Sequence, residues 1–391
     1  MKAPFPPRSS AFDSLPPYPG ADIPERRRRL RAQGVDVIDL GAGDADLAPP
    51  PLAVERLRRA VGESRNSRYP FQVGLPAFRH AVAEWMGRRF GVETDPDREL
   101  LPLLGSKEGI AHFLMAVLGP GDVAVIPDPG YLAYRGGTVF AGASPHLVPL
   151  RRENGFLLPF RELPESVVER TRVLVLNYPN NPTTASAPRE YLEDAVEFCR
   201  EHRIVLLHDH AYSEMAFDGY RPPSILEFEG ADEVGIEFHS LSKTYNMTGW
   251  RLGWAAGNGE LVGILSRFKT FVDTGVFLAV QEAGVGALES WQDWVPRNVE
   301  RFRERRDVAV AALGEAGFPV DSPRATMYLW VPVPGGESSL DFARRALDEA
   351  GVVVLPGRAL GEAGEGYFRI ALTLPGPRIR EGIQRLASLS G

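Results

Sequence analysis

The sequence predicts an α/β fold in which a mainly parallel sheet is sandwiched by helices and joined to a smaller α+β domain. Continuous apolar runs alternate with helical periodicity through the middle of the chain, which indicates strands covered on both faces. The 391 residues, 44% of them hydrophobic, are enough for a large core and two domains. Towards the C-terminus short strands and helices mix, which indicates the smaller domain.

Hydrophobic spacing predicts the elements of the first half in order. An irregular arm and a short helix occupy residues 1–34 and precede a strand at Val35–Leu40. Apolar residues three and four positions apart predict a helix over Leu75–Phe90, and a second helix over Ser106–Leu118 ends at a Gly-Pro-Gly stop. The apolar runs that follow, each predicted as a strand, are Val123–Ile126, Val173–Leu176, Ile204–Leu207 and Val234–Phe238. A helix is predicted among them over Arg189–His202.

The second half continues with a predicted strand at Arg251–Ala256 and a long helical region over Val276–Ala316. The elements expected after it are the strands Met327–Val331 and Tyr367–Ala371 and the helices Leu340–Ala350 and Arg378–Leu386. We therefore expect three parts: an arm with part of the small domain (1–45), a large domain (46–290) and a C-terminal small domain (291–391).

Composition excludes several classes of function. The formal charge is −7 and no basic face is implied, which disfavours a nucleic-acid partner. No segment approaches the roughly 20 apolar residues of a membrane span, so no membrane partner is expected. The single cysteine, Cys199, can form neither an intrachain disulfide nor a multi-cysteine metal site, and the cytoplasm is the expected compartment.

The most informative segment is SLSKTYNMTGWR at residues 240–251. It places Lys243 between two hydroxyl residues, after one predicted strand, and ends on Arg251, where the next strand begins. A lysine that forms a Schiff base beside a phosphate cradle of Ser240 and Arg251 would hold pyridoxal 5′-phosphate (PLP). Alone, Ser-x-Ser-Lys is more typical of a solvated loop, so the prediction depends on partners elsewhere in the chain.

Two further strand ends carry polar residues that suit this cofactor. Asn181 lies in a proline-restricted loop after the strand Val173–Leu176, although a plain Asn-Pro turn is an alternative. Asp209 ends the next strand, and a carboxylate there would keep the ring nitrogen of the cofactor protonated. Tyr212, three residues later, could hydrogen-bond the phenolic oxygen of the ring.

Three more positions have a functional and a plain interpretation. Gly105, Ser106 and Lys107 open a helix, where free N–H groups favour an anion, although Ser106 could be an ordinary N-cap. Tyr131 follows the strand at 123–126 and could stack on a flat cofactor or pack in the core. Arg369 lies inside an apolar strand, where it could grip a substrate carboxylate or pair with an internal acid.

Two competing motifs are weaker. His208 and His210 suggest a metal, but strand alternation sends them to one side and Asp209 to the other, and no further histidine or acid nearby completes a ligand set. We therefore expect no metal. The segment at 39–44 starts like a dinucleotide fingerprint, but it lacks the third glycine and runs into prolines, which disfavours a nicotinamide dehydrogenase.

Taken together, these residues resemble the class I/II aminotransferases of PLP fold-type I, from about Leu15 to Leu386. The segments 240–251 and 105–109 (GSKEG) are the most specific. Both are similar to the branch of LL-diaminopimelate, N-succinyl-diaminopimelate and alanine-type aminotransferases. The resemblance implies transfer of an amino group between an L-amino acid, such as LL-diaminopimelate, alanine, aspartate or glutamate, and a 2-oxo acid.

The resemblance also implies a role for each site residue. Lys243 would anchor the cofactor and carry the proton between the substrate Cα and C4′ of the ring. Asp209 would pair with the ring nitrogen. The other ring and phosphate contacts would be Tyr212 and Asn181 at O3′, Tyr131 stacked on the ring, and Gly105, Ser106, Lys107, Ser240 and Arg251 around the phosphate. Arg369 would bind the substrate α-carboxylate with the backbone of Gly43 and with Asn181.

Two residues depend on the wider assembly that the family implies, a homodimer with shared active sites. Tyr69 would reach the phosphate of the other subunit, and Tyr18 of the N-terminal arm would close over the substrate. Where the family usually has Asn-Pro-Thr-Gly, this chain has Thr184 in the last place. A second fold-type I activity, such as a C–S β-lyase, would use the same residues and stays open. A PLP-sensing regulator is disfavoured because too few residues precede the first strand for a DNA-binding head.

Overall fold

Strands and helices alternate through the middle of the chain. The computed structural model describes residues 7–389. Its strands are β1 (Ile38–Asp39), β2 (Leu100–Leu103), β3 (Val123–Asp128), β4 (Ser144–Pro149), β5 (Thr171–Leu176), β6 (Val205–Asp209), β7 (Gly235–Ser240), β8 (Gly253–Gly257), β9 (Tyr328–Pro332), β10 (Val352–Val353), β11 (Leu355–Pro356) and β12 (Tyr367–Ala371).

The helices follow the predicted periodicity closely, and the predicted helix over 189–202 has the same bounds in the structure. The helices are α1 (Ser10–Asp13), α2 (Ile23–Ala32), α3 (Pro51–Ala60), α4 (Pro76–Phe90), α5 (Ser106–Val117), α6 (Leu132–Phe140), α7 (Glu165–Val168), α8 (Arg189–His202), α9 (Ala231–Val234), α10 (Leu241–Thr244), α11 (Gly259–Thr270), α12 (Leu278–Glu289), α13 (Trp291–Glu315), α14 (Ser339–Ala350) and α15 (Gly376–Ala387). None of the helices in residues 7–389 is both long and apolar enough to cross a membrane.

The central sheet has the order β2-β8-β7-β6-β5-β3-β4. Strand β8 is antiparallel to both of its neighbours, and every other pair in the sheet is parallel. The predicted α/β class with a mainly parallel sheet is therefore confirmed. The strands β11, β12 and β9 form a separate antiparallel sheet, and β1 pairs with β10. The domain boundaries at residues 45 and 290 stay a prediction.

Helices cover both faces of the central sheet. Leu206 of β6 packs in one apolar cluster with residues of α8, whereas the next residue, Leu207, packs in another with residues of α5 and α11. This alternation is what the continuous apolar runs predicted. Because β5, β6 and β7 are parallel neighbours, their carboxyl ends meet at one edge, where ligands bind in open α/β sheets.

The structure differs from the predicted elements in the helical region 276–316, and it adds elements that were not predicted, among them helices α3, α6 and α11 and strands β2 and β4. The helical region at 276–316 is two helices separated at Ser290, whose φ of −82° and ψ of 3° leave the helical range. The hydroxyl of Ser290 donates to the carbonyl of Ala287 at 2.8 Å, a local bond that competes with helix continuation. Strands β2 and β4 lie at the two edges of the sheet. Neither was predicted as an apolar run, because β2 contains Pro102 and most residues of β4 are partly exposed.

Candidate active site

A cavity of about 320 Å³ opens at the carboxyl edge of the central sheet. Most of the site residues predicted from the sequence line it, although they come from eight separate segments. These lining residues are Tyr18, Gly43, Ser106, Lys107, Tyr131, Asn181, Asp209, Tyr212, Ser240, Lys243, Arg251 and Arg369. Their convergence gives one place where a cofactor and a small substrate could lie together.

Lys243 projects into this cavity from the one-turn helix α10, which begins where β7 ends. The turn is fixed because the Ser240 hydroxyl accepts a hydrogen bond from the backbone N–H of Ser242 at 3.1 Å. The Nζ of Lys243 donates to the carbonyl of Gly43 at 2.6 Å. A lysine held by a single backbone carbonyl at a cavity wall is free to exchange that contact for a covalent bond to a carbonyl ligand.

Asp209 presents a buried carboxylate to the cavity. Its side chain is buried, and the Tyr134 hydroxyl donates to Oδ2 at 2.7 Å. The other oxygen, Oδ1, is buried and accepts no hydrogen bond from any residue in the described range 7–389. Burial raises the pKa of Asp209, and the bond from Tyr134 opposes that rise. A cationic N–H donor in the cavity would satisfy Oδ1, which is what a protonated pyridine ring offers.

The start of α5 and the guanidinium of Arg251 form a cradle for an anion. Gly105 precedes the helix with a φ of +80°, and a Cβ built there would lie 2.2 Å from Nη2 of Arg251. Only glycine therefore lets the guanidinium approach the helix N-terminus. Arg251 is oriented by Nη1, which donates to the carbonyl of Thr248 at 2.8 Å and lies 3.4 Å from the Ser242 hydroxyl. A phosphate fits this combination of helix N-terminus and arginine.

Aromatic side chains flank the cavity on two sides. Tyr131 caps α6, and the Nζ of Lys107 lies 5.5 Å from its ring centroid. On the other side, the Tyr212 hydroxyl donates to the Tyr328 hydroxyl at 3.1 Å. Burial raises the pKa of Tyr212. Burial would also raise the pKa of Tyr328, but the positive charges of Lys243 and Arg369 outweigh it and lower that pKa.

Arg369 reaches the cavity from β12. Its Nη1 donates to Oδ1 of Asn181 at 2.7 Å, and its Nη2 donates to the carbonyl of Gly41 at 3.1 Å. The guanidinium lies 3.9 Å from the centroid of the Tyr328 ring. Within the described part of the chain, no carboxylate pairs with Arg369 and its buried Nε has no acceptor. The internal ion pair considered as an alternative is absent there, so the guanidinium can bind an external carboxylate.

Two predicted residues stand apart from the cavity lining. Gly105 lies behind the cradle, where it acts through the space it leaves for Arg251. Tyr69 is 73% exposed and does not line the cavity. Its predicted contact with a phosphate in another subunit stays a prediction.

Several lining residues were missed by the sequence analysis. Asn177 holds two site segments together, since its Nδ2 donates to the carbonyl of Asp209 at 2.7 Å and its Oδ1 accepts from the N–H of Asn181 at 2.9 Å. It is the first polar residue after β5, a signal that could have identified it. Tyr134 and Tyr328 gave no such signal, because only the fold brings them to Asp209 and Arg369.

The statement that no acid lies near His208 and His210 was wrong. Glu237 of the neighbouring strand β7 lies 2.9 Å from Nδ1 of His208 and 3.2 Å from Nδ1 of His210. His239 also contacts Glu237, at 2.7 Å. Residue 237 is remote in sequence, and the parallel pairing of β6 with β7 is what brings the two strands together. The expected alternation is confirmed, since His208 and His210 share one side of β6.

Comparison with known proteins identifies the family. Residues 35–386 match the family described as Aminotransferase class I and II. An LL-diaminopimelate aminotransferase of Desulforudis audaxviator is 52% identical over 378 residues, which cover 97% of this chain and 96% of that protein. One from Aquifex aeolicus is 47% identical over 381 residues, covering 97% and 98%.

Solved structures agree with these relatives. The apo structure of BacF from Bacillus subtilis superimposes with a TM-score of 0.94 at 34% identity, covering 98% of each chain. An aspartate aminotransferase of Thermus thermophilus gives a TM-score of 0.91 at 28% identity, covering 98% of this chain and 99% of that one. The predicted enzyme class and its cofactor are both supported, and the chain belongs to the class I and II aminotransferases, which are PLP-dependent enzymes.

Proposed function

We propose that this enzyme moves an amino group between LL-diaminopimelate and a 2-oxo acid. The observation that carries the proposal is that Lys243, the unpaired oxygen of Asp209 and the acid-free guanidinium of Arg369 line one cavity. The choice of LL-diaminopimelate rests on relatives 44–52% identical over nearly the whole chain, all of which carry that name.

The cofactor would lie between the anion cradle and Asp209. Its phosphate would bind the N-terminus of α5 at Ser106 and the guanidinium of Arg251, with Lys107 and Ser240 beside them. Its ring nitrogen would donate to Oδ1 of Asp209. The ring would stack against Tyr131, and its O3′ would accept from Tyr212 and Asn181. Each of these side chains lines the cavity, which supports the arrangement.

Bound PLP supplies an electron sink for the pair left when the Cα–H bond of the substrate breaks. The side chains of the enzyme bind the substrate and move the proton. Arg369 binds the α-carboxylate of the substrate, near the backbone of Gly43, and thereby fixes which bond of Cα faces Lys243. The freed Nζ of Lys243 would take the proton from Cα and deliver it to C4′ of the bound cofactor. Asp209 keeps a negative charge beside the ring nitrogen, so that the nitrogen stays protonated while the proton moves.

We also propose that the enzyme is a cytoplasmic homodimer with shared active sites. Tyr69 and Phe71 are 73% and 65% exposed, and Phe271 is 81% exposed. These side chains belong to two adjoining loops, because the N–H of Gln72 donates to the carbonyl of Thr274 at 2.8 Å. Exposed aromatic side chains on two adjoining loops are typical of protein interfaces. Tyr69 on these loops could reach the phosphate of a second copy.

A substrate panel tests the function. Purified enzyme with PLP is given LL-diaminopimelate, alanine, aspartate or glutamate as donor and 2-oxoglutarate or pyruvate as acceptor. The proposal predicts the highest kcat/KM with LL-diaminopimelate. A higher kcat/KM with another donor would overturn the substrate assignment. Release of pyruvate and ammonia from cystathionine without a 2-oxo acid would favour the C–S β-lyase alternative.

The assembly is tested by light scattering after size exclusion. We expect a dimer for the wild type and a monomer for Phe71→Asp, because burying the new charge in an apolar interface is unfavourable. An exposed position away from the two loops, Val61→Asp, serves as the control and should remain dimeric. A monomeric wild type at assay concentration would contradict the shared-site proposal.

A further inference from the structure

Behind Asp209, on the other side of β6, lies a buried cluster of His208, His210, Glu237 and His239 that the reaction does not use. All four side chains are at most 1% exposed. Trp85 and Phe90 of α4 cover the cluster, with ring centroids 5.4 Å from His239 and 5.7 Å from His210. A charged group in such a place must be paired, or its burial costs several kcal/mol.

Glu237 is surrounded by hydrogen-bond donors. The N–H of Ile225 donates to Oε2 at 3.0 Å and the Ser224 hydroxyl donates to Oε1 at 2.9 Å. His208 and His210 approach the two oxygens at 2.9 Å and 3.2 Å. Burial would raise the pKa of Glu237, but the neighbouring histidines outweigh it and hold that pKa well below its usual value. Glu237 is therefore a buried carboxylate, and donors face both of its oxygens.

His208 is placed to balance the negative charge of Glu237. Its Nδ1 faces Oε2 of Glu237 at 2.9 Å, and its Nε2 faces the carbonyl of Tyr178 at 3.0 Å. A carbonyl and an ionised carboxylate are both acceptors, so both ring nitrogens must donate and the ring is an imidazolium. His210 and His239, by contrast, have no acceptor among residues 7–389 for Nε2 and for Nδ1 respectively, and burial lowers the pKa of His210 to about 3. The guanidinium of Arg89, which lies over the Phe90 ring, bonds elsewhere, to Glu214 and to two backbone carbonyls.

The two bonds of His208 join three strand ends. Tyr178 follows β5 and lies in the segment that leads to Asn181, His208 immediately precedes Asp209 in β6, and Glu237 belongs to β7, which leads to Lys243. Three of the loops that line the cavity therefore begin from strands that one imidazolium ties together. The bond to Glu237 joins two charged groups, and both bonds lie in a dry interior. They are therefore stronger than ordinary hydrogen bonds at the surface.

We propose that His208 is a positioning residue: as a buried imidazolium paired with Glu237, it fixes the spacing of the loops that carry Asn181, Asp209 and Lys243. The proposal rests on the placement of the cofactor beside Asp209. It assigns no contact between His208 and the substrate or the cofactor.

The protonation state is tested directly by NMR of histidine labelled with ¹⁵N in the ring, on the wild-type apoenzyme at neutral pH. The signals of His208, assigned by their loss in His208→Gln, should show a proton on both ring nitrogens. An unprotonated Nδ1 would overturn the proposal. So would stoichiometric zinc in the purified protein, because a metal bound by His208, His210 and Glu237 would occupy Nδ1 in place of the proton.

The positioning role is tested by cofactor affinity and kinetics. His208→Gln keeps one donor but no charge, and we expect it to raise the dissociation constant of PLP at least tenfold and to lower kcat more than it raises KM. The exposed His202→Gln is the matched control and should leave both unchanged. A PLP affinity and kcat equal to wild type in a folded His208→Gln would overturn the role. If LL-diaminopimelate is a poor donor while these results hold, the substrate assignment alone fails.

Discussion

Asp209 and Glu237 are two buried carboxylates on adjacent strands of one sheet, and they have opposite surroundings. Asp209 accepts a side-chain hydrogen bond from Tyr134 at Oδ2, and in the range 7–389 its Oδ1 has no donor. Glu237 accepts from Ser224, Ile225 and the histidines around it. The pKa of Asp209 is accordingly raised by burial, whereas that of Glu237 is lowered in spite of burial.

This difference separates a functional group from a structural one. A buried carboxylate with too few donors is unfavourable in the folded protein until a ligand supplies one, which marks a binding site. A carboxylate whose oxygens are all occupied by protein donors has no free acceptor site for a ligand. It instead links the elements that donate to it. Substitutions on the cavity side should therefore reduce activity with little loss of stability, and those on the cluster side should reduce stability.

The largest effect is expected at Lys243, whose Nζ has only the carbonyl of Gly43 as partner in residues 7–389. Lys243→Ala should lower kcat by about 10⁴-fold or more, because both the covalent anchor and the proton carrier are lost. The visible absorbance of the lysine-bound cofactor should disappear, while the thermal unfolding midpoint of the apoenzyme stays unchanged. Transamination at the normal rate by this variant would refute the site.

Glu237→Ala should have the largest effect on stability. Removal of the carboxylate leaves the buried imidazolium of His208 without its partner, which costs about 3–5 kcal/mol of unfolding free energy. Urea titration of the apoenzymes measures this loss. In the wild type the lowered pKa of Glu237 contributes stability above its unfolded pKa of about 4.3, and that stability is lost as the pH falls through the folded pKa. The acid sensitivity of the variant should therefore be smaller than that of the wild type.

Asp209→Asn should give the reverse result. Without an anion beside the ring nitrogen, kcat should fall by about 10²-fold, while the Tyr134 hydroxyl can still donate to the amide oxygen. The apoenzyme should become more stable by about 1 kcal/mol, since a buried charge is removed. Wild-type apoenzyme loses the contribution of protonated Asp209 as the pH rises above its unfolded pKa of about 3.9, so the advantage of the variant should appear above that pH. A destabilised Asp209→Asn apoenzyme would contradict the comparison.

Arg369→Lys tests whether the guanidinium of Arg369 binds the carboxylate of the substrate. Lysine keeps the charge but loses the paired donors that match a carboxylate, so kcat/KM should fall by roughly 30-fold, equivalent to about 2 kcal/mol. Steady-state kinetics should place most of the loss in KM for the amino donor. A change in kcat alone would instead indicate that Arg369 acts on the chemistry rather than on substrate binding.

The two carboxylates also show how far the sequence could lead. Asp209 was predicted because it ends a continuous apolar strand, and parallel strand ends meet at a ligand-binding edge. Asn181 and Lys243 were predicted because they lie in loops that follow neighbouring predicted strands, one between prolines and the other in the segment 240–251. Helix α8 was predicted with correct bounds, since its apolar stripe is unbroken.

What the sequence could not reveal are contacts that depend on strand order. Glu237 lies opposite His208 only because β6 pairs with β7 in this register. Tyr134 reaches Asp209 across 75 positions of sequence, and Tyr328 lies beneath Arg369 only because β12 pairs with β9. An apolar run specifies that a strand is buried, but it does not specify which strand lies beside it.

The smallest effect concerns Thr184, where the family usually has glycine. Thr184 follows the loop of Asn181 with a φ of +64°, and its N–H donates to the carbonyl of Asn180 at 3.0 Å. A β-branched residue in this left-handed conformation is strained by about 1–2 kcal/mol, whereas glycine adopts it freely but loses more chain entropy on folding. Thr184→Gly should therefore raise the unfolding free energy by less than about 1 kcal/mol and leave kcat unchanged, because the substitution touches neither carboxylate. Chemical denaturation and kinetics on the same preparation measure both. A drop in kcat would show that the strained turn helps to place Asn181 and belongs to the cavity side.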